Sequence, residues 1–296
     1  MGELVETFGA RLERVFATAG RLCVGIDPHA SLLASWDLPD SAAGTREFGL
    51  RVVDAAVGRV GILKPQVAFF ERHGSAGYAA LEAVLSAARE AGLLVIADAK
   101  RGDLGTSVDA YGEAWLTPGS PLEADAMTTV AYQGLGSLAG VLDRAAASGK
   151  GVFVLAATSN PEAALTQKAV RADRRSVADG VIADIRGWVS TRSTTVISAA
   201  EPAATSTRTS AVLSDIGVVL GATIDTAAFG IAPEDLVGIP ILAPGFGAQG
   251  AVIGDVARLF GAAASHTLVA VSRSVLAAGL DGLADAINQA AAEVTG

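Results

Sequence analysis

Eight short apolar, β-branched runs, each followed by an alanine-rich segment, limit what this 296-residue chain can fold into. The runs are Leu22–Asp27, Val60–Gln66, Leu93–Lys100, Ala126–Tyr132, Gly151–Ser159, Ile216–Thr223, Ile239–Gly247 and Thr267–Ser274. Each is too short for a helix and too continuously apolar for a sheet with one wet face. Parallel strands covered on both faces demand that pattern. The segments between them have helical period. Tyr78, Leu81, Val84, Leu85 and Ala88 share one helical face, and Gly92 supplies a stop. Run starts lie mostly about 30 residues apart, the length of one βαβ unit. Such an alternation either closes into a barrel or stays open as a doubly wound sheet. The count of eight, with polar residues gathered at the C-terminal ends of the runs, favours an α/β fold of the (β/α)8, or TIM, barrel type, a single domain over residues 1–296.

One interval is much longer than the others. Between the fifth and sixth runs, Ser176 to Trp188 has a helical pattern, while Val189 to Ser210 is rich in Ser, Thr and Ala. That second stretch, residues 189–210, is expected to be an insertion in the barrel.

Composition narrows the partners. The formal net charge is −9 and no block of Lys or Arg stands out, so nucleic acid is not an expected partner. An anionic substrate would have to be met by a few local cations. The single cysteine, Cys23, sits in an apolar run and reads as a core residue. With no second cysteine to pair with, a reducing, cytoplasmic setting is expected. Glu3 to Thr18 mixes acids and arginines through its apolar positions, unlike a signal peptide. No stretch approaches the roughly 18 unbroken apolar residues of a membrane span, so no membrane association is expected.

The chemistry concentrates in Asp98-Ala99-Lys100-Arg101-Gly102-Asp103, at the end of the third run. Side chains alternate across a strand, so Asp98 and Lys100 share a face, which at a barrel mouth points inward. A lone charge there is costly, and an acid beside a base offsets it. Taken alone, the pair is as readily a structural ion pair as a site. Lys64 ends the second run in Ile62-Leu63-Lys64-Pro65, and Asp27 ends the first before Pro28. Charges of alternating sign at the ends of three successive strands read together as a site. Across the barrel, Pro244-Gly245-Phe246-Gly247-Ala248-Gln249-Gly250 follows the seventh run and Ser272-Arg273-Ser274 ends the eighth. Loops after strands seven and eight commonly hold phosphate in such barrels, and an arginine there can make a bidentate contact. Thr158, Ser159 and Asn160 end the fifth run, where they either contact a polar heterocycle or shape a turn. His29, His73 and His266 are scattered without metal-ligand spacing, and the first two read as turn residues. No metal is expected.

Asp98-x-Lys100-x-x-Asp103, with Lys64 upstream and Pro-Gly-x-Gly-Ala-Gln and Ser-Arg-Ser downstream, resembles orotidine 5'-phosphate decarboxylase, particularly its longer bacterial branch. The resemblance implies cofactor-free conversion of orotidine 5'-monophosphate to UMP and CO2, the last step of pyrimidine synthesis. It implies a catalytic tetrad of Lys64, Asp98, Lys100 and Asp103, and a homodimer in which Asp103 reaches the neighbouring subunit's site. It further assigns Asp27 to the ribose and base region, Ser159 to the pyrimidine, and Gln249 and Arg273 to the phosphate. The family's threonine four residues after the last Asp is replaced by Ser107, with Thr106 beside it, and either hydroxyl could serve. Ser272 stands where many members have Gly.

Two rivals share parts of this pattern. One is a magnesium-dependent sugar-phosphate decarboxylase of the 3-keto-gulonate 6-phosphate type, whose second strand typically offers an acid where Lys64 stands. The other is a catalytically dead barrel that only binds nucleotides, for which the complete charged set has no use.

Overall fold

Register settles the choice between barrel and open sheet. In the computed structural model, which describes residues 5–199 and 213–295, the strands are β1 (Leu22–Ile26), β2 (Ile62–Pro65), β3 (Leu94–Arg101), β4 (Ala126–Thr129), β5 (Gly151–Ala157), β6 (Ile216–Leu220), β7 (Ile241–Pro244) and β8 (Thr267–Val271). Each pairs in parallel with the next, and β8 returns to β1 through Leu22↔Val269 and Cys23↔Ala270. The sheet is a closed eight-stranded barrel, so no edge is left open. All eight expected runs are strands, and most of the expected C-terminal ends overrun the pairing because the polar residues there belong to the loops.

Seven longer helices surround or cap the barrel: α1 (Phe8–Ala19), α2 (Ala42–Ala56), α3 (Gly74–Glu90), α4 (Gly105–Leu116), α5 (Ala139–Ala147), α6 (Val177–Ala199) and α7 (Gly279–Thr295). Local chemistry sets their ends. Thr7 caps α1 by accepting from the Ala10 N–H, Ser41 caps α2 by accepting from the Gly44 N–H, and Gly92, at φ 76°, turns the chain after α3. The expected face of α3 is buried through Leu81, Val84, Leu85 and Ala88.

Two expectations change. The segment after β6 carries only 3-10 turns, Ala227–Phe229 and Pro233–Leu236, because Gly230, Pro233 and Gly238 interrupt any helix there. And α6 runs on to Ala199, so the first half of the expected 189–210 insertion continues that helix. The remainder of that stretch lies outside the described residues.

The core has two layers. Outward-facing strand residues such as Val24, Leu63, Val95, Ala97 and Val154 pack beneath the helices. Inward-facing residues, among them Cys23, Ile62, Leu94, Ile96, Phe153, Leu242 and Leu268, fill the barrel. The α1 helix closes the floor, with Phe8 set edge-on against Phe153 at 6.0 Å and Leu12 beside it. A Cβ at Gly151 would run into the Phe8 ring, so the strand must be bare there. Cys23 belongs to the inner layer, where burial pushes its thiol up to about 12.

Candidate active site

With the floor filled, the open end of the barrel is its C-terminal rim, which holds a cavity of about 430 Å³. Asp27 after β1, Lys64 on β2, Asp98 and Lys100 on β3, Gln249 after β7 and Arg273 after β8 all line it. At its centre Asp98 bridges two ammonium groups. Lys64 Nζ donates to Asp98 Oδ2 at 2.9 Å and Lys100 Nζ to Asp98 Oδ1 at 2.6 Å. Burial disfavours the charge on Asp98, but Lys64 and Lys100 outweigh it and hold the carboxyl well below the usual carboxylate range. Burial likewise opposes the charge on Lys64, and Asp98 and Asp27 overcome it, raising the lysine above its ordinary value. Lys64 is 7% exposed, whereas the Lys100 side chain is 41% exposed and opens to the cavity. The charges are thus graded from a sealed counterion to an accessible ammonium.

The backbone at Lys100 is unusual. Its φ is +49°, in the left-handed region that costs a non-glycine residue about 1 kcal/mol or more. Pairing between β3 and β4 shifts there, Ala97 facing Met127 and Arg101 facing Thr129. Asp98 and Lys100 do meet, as alternation requires, but through a bulge and not a regular pleat. The Lys100 N–H is taken by the Thr128 hydroxyl at 2.9 Å, and Lys100 Nζ also donates to Gln66 Oε1 at 3.2 Å.

On the opposite wall, Gly245, Gly247 and Gly250 all have positive φ, which lets the loop after β7 bring Ala248 and Gln249 to the cavity. Asp27 Oδ1 and Ser272 Oγ are buried polar atoms with no hydrogen-bond partner among the described residues, and both residues line the cavity. Gly25 is pinned between these two side chains, since a Cβ there would stand 2.9 Å from Ser272 Cβ and 3.2 Å from Asp27 Oδ2.

A model of the orotidine 5'-phosphate decarboxylase / HUMPS family matches residues 20–286. Orotidine 5'-phosphate decarboxylase of Salinispora arenicola is 48% identical over 279 residues, covering 94% of this chain and 92% of that protein. The Streptomyces coelicolor enzyme of the same name is 47% identical over 278 residues, covering 94% and 92%. This chain belongs to the orotidine 5'-phosphate decarboxylase family. A crystal structure of a Streptomyces avermitilis protein, provisionally assigned the same activity, superposes with a TM-score of 0.85 at 44% identity, covering 100% of this chain and 97% of that one.

Three residues that the family resemblance assigns to the site stand apart from the cavity. Asp103 is half-buried with Oδ1 accepting from the Leu104 N–H, and Ser107 is exposed in the first turn of α4, beside Thr106. Ser159 is exposed, while its neighbour Thr158 lines the cavity. The reason is a second register shift, between Leu155 and Ala157, which reverses the inward and outward sequence just before the strand ends. The Thr158 hydroxyl accepts from Gln167 Nε2 at 3.0 Å, so it is already held in the loop.

Other residues join the site without having been singled out. Gln66 follows Lys64 by two positions on β2's alternation, and Thr128 follows Ala126 in the same way on β4. Alternation alone could have found both. His29 is a cavity residue and not merely a turn former, its ring 4.2 Å from that of Phe69, which also lines the cavity. Among the described residues no group of three His, Cys, Asp or Glu side chains stands in position to hold a metal ion.

Proposed function

We propose that this chain catalyses the cofactor-independent decarboxylation of orotidine 5'-monophosphate to UMP and CO2, with Lys100 as proton donor. The observation that carries the reading is the Lys64–Asp98–Lys100 array at the cavity's centre, within a chain of this family. Breaking the bond between C6 and its carboxylate leaves the electron pair on C6, a carbanion with little resonance relief. An ammonium fixed beside it stabilises that charge and then supplies the proton. Lys100 is the exposed member of the array, and Asp98, held ionised, fixes it through a 2.6 Å bond. The released amine regains its proton from solvent. In this reading Asp27 and Ser272 receive ribose hydroxyls with their unpartnered buried oxygens, and Gln249 and Arg273 receive the phosphate.

The same reading takes the enzyme as a homodimer with Asp103 delivered to the partner's cavity. Asp103 does not line its own cavity, which supports it, as does the exposed apolar surface nearby: Leu104 is 59% exposed and Tyr132 84%. A cytoplasmic location accords with the buried, unpaired Cys23 and with the absence, among the described residues, of a helix long and apolar enough to cross a membrane.

The test is the loss of orotidine 5'-monophosphate ultraviolet absorbance in EDTA. The parent should turn over and Lys100→Ala should not, while Arg273→Ala should mainly raise KM. Turnover only with added magnesium, on a sugar phosphate, would favour the metal-dependent rival. Near-normal turnover by Lys100→Ala would remove Lys100 as donor.

A further inference from the structure

Thr128 is fully buried on β4 and is not among the residues lining the cavity, yet its hydroxyl joins two parts of the charged array. It accepts from the Lys100 backbone N–H at 2.9 Å and donates to Asp98 Oδ1 at 2.9 Å. Both directions are forced, because an amide N–H only donates and an ionised carboxylate only accepts. Asp98 Oδ1 in turn takes Lys100 Nζ at 2.6 Å. The result is a closed circuit that starts at the amide of Lys100 and returns at its ammonium.

The register shift between Ala97 and Arg101 explains why a side chain is needed there. In an unbroken parallel ladder a displaced N–H finds a carbonyl of the neighbouring strand. At Lys100, with φ at +49°, it finds the Thr128 hydroxyl instead. Valine has the same shape without the hydroxyl. It would leave the Lys100 N–H without this partner and remove one donor from Asp98 while leaving the packing almost unchanged.

We infer that Thr128 is a positioning residue for the proton transfer, holding Lys100 in its left-handed conformation and aiming its ammonium into the cavity. The inference rests on Lys100 being the proton donor. It concerns a buried residue that does not line the cavity, so binding and chemistry should separate when it is changed.

The experiment compares Thr128→Val and Thr128→Ser with the parent in three measurements: steady-state kinetics, UMP affinity by calorimetry, and crystal structures. Thr128→Val should lower kcat on the order of 10- to 100-fold, the loss expected of a misplaced reacting group. KM and the UMP Kd should stay within about threefold, and Thr128→Ser should recover most of the rate. In the Val crystal structure Lys100 should leave its positive φ or release Asp98 Oδ1. A Val variant with parental kcat, with rate and UMP affinity lost together, or with Lys100 unmoved would overturn the inference. The crystallographic comparison decides the positioning role even if the parent proves inactive on orotidine 5'-monophosphate, an outcome that would sink the proposed function alone. If Thr128→Val does not fold, Thr128→Cys carries the same comparison, since it keeps a small side chain but weakens both bonds.

Discussion

At the scale of single residues, Asp98 is the hub, since both ammonium groups and the Thr128 hydroxyl converge on its two oxygens. Asp98→Asn keeps the shape and removes the charge, leaving Lys64 buried without its carboxylate. Removing one partner of a buried pair typically costs about 3 kcal/mol, so the variant should unfold at clearly lower urea as well as lose turnover. Equilibrium unfolding followed by circular dichroism checks it, and parental stability would mean that the array is more hydrated than its burial implies. The residues of this hub were legible because Lys64, Asp98 and Lys100 end strands, where alternation places them. The conformation of Lys100 was not. Ala99-Lys100-Arg101 contains no glycine or proline to announce a positive φ, and the bulge arises from pairing with β4, which lies in another part of the chain.

At the scale of elements, the eight strands could be read from composition because burial on both faces leaves an unambiguous apolar signature. Their ends could not, because register is set between strands. Thr158 lines the cavity and Ser159 is exposed through a shift between β5 and β6 that neither segment reveals by itself. The connection from β6 to β7 lacks a full helix and leans instead on side-chain bonds, among them one from His266 Nε2 to the Leu236 carbonyl at 3.0 Å. A carbonyl only accepts, so Nε2 carries the proton in this contact. Burial holds the His266 imidazole below its ordinary pKa. The unfolded chain therefore takes up a proton near pH ~6.5 that the folded chain resists. Stability from this site is complete above that pH and is lost as pH falls through it. The urea midpoint should drop between about pH 7 and pH 5.5, and His266→Gln should flatten that slope. An unchanged slope in the variant would move the effect to another group.

At the scale of the whole molecule, the rim residues Asp103 and Ser107 were placed by family resemblance and not by any local pattern. A single subunit leaves both outside its own cavity. If two subunits exchange Asp103, Lys100→Ala and Asp103→Asn should complement each other. In a two-fold dimer, random mixing of the two inactive variants makes half the dimers hybrid, each with one intact site, restoring about a quarter of parental activity. Mixing after mild dissociation, followed by the absorbance assay, measures this. No recovery from a verified hybrid would confine each site to one chain.

The floor of the barrel bears on traffic. Phe8, Leu12 and Phe153 stop it from below with side chains almost wholly removed from solvent. A vessel closed at the bottom has one doorway, so the nucleotide enters and both products depart by the same rim. If decarboxylation takes place beside Lys64 and Asp98 as proposed, the gas forms next to those side chains while Gln249 and Arg273 hold the phosphate. Order of departure then becomes a matter of which product stands in the other's way.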